Sequence, residues 1–388
     1  APQLKYLIYT GNNRKALIPD FVGYDLILTT YGMIRNDTKE LQDIRFEYII
    51  LDESQVIKNP GSKIAKSVKK LQSNFKLVLT GTPIENSLTD LWSQMSFLNP
   101  GLLGSFKFFK QEYVVPIEKY NNEDSKNRLR SLIKPFVLRR TKDQVAKDLP
   151  SLTEKISYCE MSSEQKAIYD KAKDTIRHQI LNNIESQGFN KSQFMILKGL
   201  TELRLLANHP LIHNKEYDGE SGKFNEVVSK LDQVLNEGHK VLLFSQFIRH
   251  LNLYKEYLDK HNIQYSYLTG QTRNRESVIK NFQQNEDVKV FLISLKAGGV
   301  GLNLVEADYV FIADPWWNPA TESQAINRAH RIGQQKRVIS YKYITKDTIE
   351  EKILNLQKKK QKLSGNIIQI NQSLGKVLNE EDISVLFE

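Results

Sequence analysis

Cysteine is nearly absent from this chain: its 388 residues include one, Cys159. A single thiol excludes a disulfide framework and any four-cysteine zinc site built within the chain. Glycine (19) and proline (11) are sparse, which excludes a collagen-like or linker-dominated polypeptide. Apolar runs are only a few residues long, such as the Val-Leu-Leu-Phe that ends at Phe244. A membrane span needs about 20, so no membrane partner is expected. Residues 1–6 lack the pattern of a secretory leader. No fixed-period repeat or low-complexity tract is found. The expected setting is reducing and intracellular. Because Ala1 is not an initiator methionine, the chain reads as part of a longer protein.

What is present fits a globular protein. Hydrophobic residues make up 40%, enough for at least two cores, and at roughly 150 residues per domain the length suggests two to three domains. Lys and Arg (55) exceed Asp and Glu (45), a net charge of +10. That excess favours a polyanionic partner, most often nucleic acid, although many basic proteins bind none.

In the first hundred residues, short Ile/Leu/Val-rich runs at 24–29, 48–52 and 75–80 read as buried strands, with helical spacing over 63–71. Such alternation predicts parallel-sheet α/β architecture. From about 99 to 214 strand signals thin out. Helices are predicted over 163–184, opened by Ser162, and over 192–207. Residues 217–222, with Gly, Ser and acids clustered, read as a linker. The alternation then returns. Strands are expected at 241–245, 265–268, 288–294, 309–313 and 339–344, with helices at about 247–260, 273–285 and 319–331. After Asp347 a Lys-rich helix leads into an acidic tail.

Open α/β sheets bind ligands at the carboxyl ends of their strands. After 49–51 come Asp52 and Glu53. A strand-end Asp is one way to hold Mg²⁺ beside nucleotide phosphates, and a neighbouring Glu could polarise water; an acidic solvated turn is the plainer alternative. After 77–79 come Thr80, Gly81, Thr82 and Pro83, a turn offering two hydroxyls. After 288–294 come three glycines in four residues, at 298, 299 and 301, a backbone able to approach phosphate closely. Trp316 and Trp317 stand in a Pro-bracketed loop, either as core anchors or with one available for stacking. Arg328 and Arg331, three apart on a predicted helix, would share a face suited to phosphate charge.

The order of these pieces carries a resemblance. The segments LTGTPIENSLTDLWSQMSFLNPGLLG, FVLRRTKDQV, LLFSQF, SLKAGGVGLNLVEADYVFIADPWWNPATESQAINRAHRIGQ and TIEEKI are similar to those of the SWI/SNF-type ATPases of helicase superfamily two. The likeness runs from the 26–31 segment to about Leu363, and the composition leans towards a bacterial member. It implies two RecA-like lobes that close on ATP, with double-stranded DNA across both. By position, residues 1–98 would be the carboxyl-terminal part of lobe one. Residues 99–216 would be helical protrusions and linker, 217–346 lobe two, and 347–388 a helical brace and acidic tail.

The resemblance also implies roles. Asp52 would hold Mg²⁺ through water and Glu53 would activate the attacking water. Gln55, Thr80 and Thr82 would couple nucleotide state to DNA movement. Arg328 and Arg331 would be arginine fingers, with Gly301, Asn303 and Gln324 near the nucleotide. Thr30, Ser294, Lys296, Trp317 and Asn318 would face DNA. The stretch 128–147, with seven Lys/Arg and one acid, would add electrostatic contact. A monomer acting on some DNA-bound protein is expected, in bacterial cytoplasm or a nucleus.

One departure is clear. A nucleotide motor needs a G-x-x-x-x-G-K-[S/T] loop. The Gly-Lys pairs here, Gly222-Lys223 and Gly375-Lys376, have neither the earlier Gly nor the following Ser or Thr. The chain is therefore expected to begin inside lobe one and to be inactive alone. A strand-separating helicase and a non-enzymatic DNA-binding scaffold are the competing readings.

Overall fold

Period-two alternation in the first third of the chain produces short parallel strands with one apolar edge turned inward. β1 (Tyr6–Ile8) pairs with β2 (Leu26–Leu28), and β3 (Arg45–Leu51) pairs with β4 (Gln72–Val78), both parallel. Leu7, Ile27, Ile49 and Leu51 face a cluster with Tyr9, Phe21, Ile57, Val68 and Phe97. The helix Lys63–Lys70 closes over it, started by Ser62, whose Oγ accepts from the Ala65 amide at 3.1 Å. The opposite residues of the same strands, Tyr6, Ile8, Leu26, Leu28, Tyr48, Ile50, Phe75 and Leu77, are exposed. A second, helical core follows, where Leu88–Leu98 packs Leu91 and Met95 against Phe109, Ile117 and Leu129.

The computed structural model describes residues 2–81, 88–120, 122–298, 301–317, 319–363 and 380–387. It divides the chain into two compact units that part between Arg139 and Arg140.

The second unit is built on a six-stranded parallel sheet of order β5-β10-β9-β6-β8-β7. Its strands are β5 (Leu152–Cys159), β6 (Val241–Ser245), β7 (Tyr265–Leu268), β8 (Val290–Ser294), β9 (Tyr309–Ile312) and β10 (Val338–Thr345). Every residue of β6, β8 and β9 is buried, as expected where helices cover both faces of a parallel sheet. Phe244, Phe291 and Ile312 fill the core on one face, Leu243, Leu292 and Phe311 that on the other. Helices Gly222–Asn236, Ile248–Lys260, Arg275–Gln284 and Pro319–Ile326 flank the sheet.

Three features differ from the sequence expectation. β5 comes from the stretch expected to be helical. It is an edge strand, paired with β10 from Val338↔Leu152 to Thr345↔Cys159. Residues 217–222 are packed rather than loose. Ser221 is fully buried, and a Cβ on Gly222 would stand 1.6 Å from the Glu160 carbonyl oxygen, so only glycine fits there. The acidic tail ends in a docked helix, Glu380–Phe387, whose Ile383, Leu386 and Phe387 join the core of the long helices Ser163–Gln187, Phe189–Asn208 and Ile349–Leu363. A fully buried pair, Lys223 and Glu350 at 2.5 Å, ties the sheet-flanking helix to that bundle. No described helix is long and apolar enough to cross a membrane.

Candidate functional site

β3 runs out at Leu51 and delivers Asp52, exposed, at its carboxyl end. The pairing continues past both strands. Leu79 N donates to Leu51 O at 2.8 Å and Ser54 N to Leu79 O at 3.0 Å, which fixes the turn between. In that turn Glu53 sits at φ 48°, ψ 52°, a left-handed conformation that costs a non-glycine residue about 1–2 kcal/mol. Such strain clusters where a side chain must be aimed. The Glu53 amide donates to Asp52 Oδ1 at 2.9 Å.

The Glu53 side chain is held by a relay. Gln55 Nε2 donates to Glu53 Oε2 at 2.7 Å, and Thr80 Oγ1 donates to Gln55 Oε1 at 3.1 Å. One amide thus joins the carboxylate after β3 to the hydroxyl after β4. Tyr31, which carried no role in the sequence reading, donates its hydroxyl to the Asp52 carbonyl at 2.7 Å. Burial, with the charges of Asp52 and Glu53 added, pushes its phenol up to about 12, so it stays a donor. Thr30 is exposed, but its Oγ1 caps the helix Tyr31–Asn36 by accepting from Met33 N at 3.3 Å. Thr82 lies outside the described residues.

In the second unit the site residues follow β8 and β9. Lys296 is exposed, whereas Ser294 is only 3% exposed. Ser294, expected to face DNA, is thus buried at the end of β8. Gly301 turns at φ 60°, and it and Asn303 are exposed. The segment then runs against the arginine turn: Leu304 N donates to Arg328 O at 3.0 Å, and Arg331 Nη1 lies 3.5 Å from Leu302 O. Gln324 is half-buried on Pro319–Ile326.

The arginines are not on a helix. The helix stops at Ile326, and a series of turns carries residues 327–331. The two differ in exposure: Arg328 is 8% exposed, while Arg331 is exposed. Two groups from the segment 142–150 contact this turn. Lys142 Nζ donates to Asn327 Oδ1 at 2.6 Å and also to the His330 carbonyl. His330 Nε2 is 2.8 Å from the Pro150 carbonyl.

The tryptophan loop is anchored on both sides. Trp316 packs on the sheet core, and Trp317 packs on the helical bundle. Trp317, expected to face DNA, is half-buried, and its ring lies against the buried Arg204 guanidinium, 4.9 Å from the ring centroid. Arg204 Nη2 donates to the Pro315 carbonyl, and Gln357 Nε2 donates to the carbonyls of Trp316 and Trp317 at 3.0 and 2.8 Å. Asp314 beneath them accepts from Ser245 Oγ and from Gln246 N at 3.1 Å. Burial pushes its carboxyl up, but His250, Arg204 and Ser245 together outweigh that and hold it below the ordinary range. Asn318 lies outside the described residues. Lys142 was read only as part of the basic stretch 128–147 and of the FVLRRTKDQV segment, and Arg204 and Gln357 were given no role. The partners of all three are more than 30 residues away.

Two family models match the chain: the SNF2-related domain over residues 1–212 and the helicase conserved C-terminal domain over residues 226–333. The chain belongs to the SWI2/SNF2 family. An uncharacterized ATP-dependent helicase of Mycoplasma genitalium is 35% identical over 100% of this chain and 37% of its own length. A putative ATP-dependent helicase/translocase of Bacillus subtilis is 36% identical over 98% of this chain and 42% of its own. The yeast TATA-binding protein-associated factor MOT1 is 32% identical over 96% of this chain and 23% of its own. The chain thus spans well under half the length of the curated relatives it matches. Among solved structures, the Sulfolobus solfataricus SWI2/SNF2 ATPase core in complex with dsDNA covers all of this chain, and 82% of that structure's chain is matched. Its identity to this chain is 36% and its TM-score 0.52. The α/β class with parallel sheets, expected from the sequence, is the class of these cores.

Proposed function

We propose that this chain is part of an ATP-driven double-stranded DNA translocase of SWI/SNF type. The observation that carries the reading is the Glu53–Gln55–Thr80 relay. A carboxylate held in a strained turn and wired to the next strand's end suits a base whose position reports on a second ligand. Glu53 takes the proton of the attacking water, and Gln55 keeps its carboxylate aimed. Arg331, exposed on the turn that follows Pro319–Ile326, meets charge on the transferring phosphate, with Arg328 packed behind it.

Asp52 fits Mg²⁺. It is an exposed hard-oxygen donor at a strand end, and Mg²⁺ is commonly held by one or two carboxylates together with substrate phosphates rather than by a protein cage. When bound, the ion would neutralise charge on the phosphates. Thr30 and Lys296, both exposed, remain candidates for DNA phosphates, as do Arg128, Arg130, Lys134 and Lys147.

The phosphate-cradling loop is not among these 388 residues. The relatives' greater length and the exposed apolar face of β1–β4 support a further segment that covers this face and brings the loop. On this reading the 388 residues alone turn over no ATP. The full protein would act as a monomer on a DNA-bound protein.

Translocation without unwinding distinguishes this function from a strand-separating helicase. A version extended upstream to include the loop is expected to displace the third strand of a DNA triplex when ATP is added, and to leave the underlying duplex intact. Separation of the duplex strands would favour the helicase, and failure of both with duplex still bound would favour the scaffold.

A further inference from the structure

We infer that Lys142 is a positioning residue for the arginine turn, tethering that turn to the point where the chain passes from one unit to the other. The compact units part between Arg139 and Arg140, two residues before Lys142. Lys142 opens a short helix, Lys142–Val145, whose start is held by a reciprocal cap between Thr141 and Gln144. Its ammonium therefore leaves a fixed backbone. It reaches Asn327 Oδ1 at 2.6 Å, on the residue just before Arg328, and the carbonyl of His330, the residue just before Arg331.

The turn needs such a tether. Its helix has ended at Ile326. The amides of Asn327 and His330 still donate four residues back, but those of Arg328 and Ala329 donate only three back and that of Arg331 only two, so the bonding is mixed. The Arg331 guanidinium makes a long contact, 3.5 Å, to Leu302 O among the described residues. Charge-assisted donation from Lys142 to a backbone carbonyl and a side-chain oxygen is the strongest kind of hydrogen bond available at a half-exposed position. The His330–Pro150 contact, from the same incoming segment, adds a second tie. A displacement of the chain at 139–140 would be transmitted through one helical turn to the turn that bears both arginines. Conversely, charge captured by the arginines would be felt at the crossing.

The catalytic consequence rests on the translocase reading; the tether does not. Both are tested with Lys142→Met, which keeps the stem and removes the donor, with Lys142→Arg, which restores a donor, and with Asn327→Ala, alone and combined with Lys142→Met. In the 388-residue chain, amide hydrogen exchange at 327–333 is expected to accelerate at least about fivefold in Lys142→Met, with the β6, β8 and β9 amides unchanged. Lys142→Arg should recover most of this, and Asn327→Ala should add little to Lys142→Met. In the extended, DNA-stimulated enzyme, Lys142→Met should lower kcat on the order of 10- to 100-fold, with KM for ATP within about twofold. Unchanged exchange at 327–333 overturns the tether. Changed exchange with unchanged kcat overturns its catalytic role. Absence of ATP turnover in the unsubstituted extended enzyme overturns the translocase reading and with it that role, and the exchange pattern still decides the tether.

Discussion

The two units use the same strand type and bury it differently. In the second unit, β6, β8 and β9 have no exposed residue and stand between two apolar layers. In the first, β1–β4 pair in parallel yet bury one face only, and Tyr48 and Phe75 stack at 4.9 Å on the open one. Parallel strands exposing an apolar face are unusual, because their crossovers place helices on both sides. The second unit is thus a finished core, and the first presents a surface suited to a further layer. The carboxylate half of the proposed chemistry sits at the end of β3 in the one-sided sheet, and the arginine half follows the helix Pro319–Ile326 on the sheet covered on both faces.

The largest expected effect strikes the chemistry shared by the two halves. In the extended enzyme, Arg331→Ala should reduce kcat by about 10³–10⁵-fold, and Glu53→Gln by about 10²–10⁴-fold. Steady-state turnover at saturating duplex checks both. Equal effects would show that the two halves are equally indispensable. An inactive Glu53→Gln beside a fully active Arg331→Ala would break the symmetry of the account.

Next comes Glu350→Ala, which leaves the fully buried Lys223 ammonium without its partner and should cost about 3–5 kcal/mol. Trp92 reports on the first unit, and Trp316 and Trp317 report on the second. Urea melts of variants keeping one reporter set should therefore show the loss in the second unit alone.

Acid should separate the units by a smaller margin. Burial, followed by the nearby His250, lowers His209 from 6.5 to about 4. Between those values the unfolded chain binds a proton that the native one refuses, so stability falls as pH drops through that window, by about 2–3 kcal/mol. In the first unit Asp37, paired with Arg14, is held below 3.8. Its stabilisation is fully present above 3.8 and is lost only below it. Melting at pH 7, 5 and 3.5 should soften the second unit first.

The smallest effect is the most telling about the open face. Ile50→Glu places a carboxylate at an exposed position. It should change the stability of the 388-residue chain by no more than about 0.5 kcal/mol. The same substitution should destabilise an extended version in which that face is covered. Equal melting shifts in both would contradict a covering layer.

How much of this was legible in the sequence follows from local signal. β6 and β7 have the bounds that were read, because a continuous or alternating apolar run ends at polar groups. The strand ends marked Glu53 and Thr80 as candidates, and the coupling role of Gln55 and Thr80 came only from the family resemblance. β5 was illegible because Thr153, Glu154, Lys155 and Ser157 interrupt it, the polar mixture that an edge strand tolerates. The helix stop before Arg328 left no mark either, since the next glycine is Gly333. It is set by the Leu304 amide and Lys142, partners 24 and about 185 residues away. The contact of Trp317 with the helical bundle left no local mark, since its partner Arg204 is more than 100 residues away.

The most direct test is ATP turnover, with and without duplex DNA, by the 388-residue chain and by a version extended upstream to carry the phosphate loop. The account predicts no turnover by the shorter chain. It also predicts turnover by the extended one that duplex stimulates more than single strands do. An extended version that binds duplex in a salt-dependent way and hydrolyses nothing would contradict it, and would leave Asp52, Glu53 and the arginine turn as structural charges.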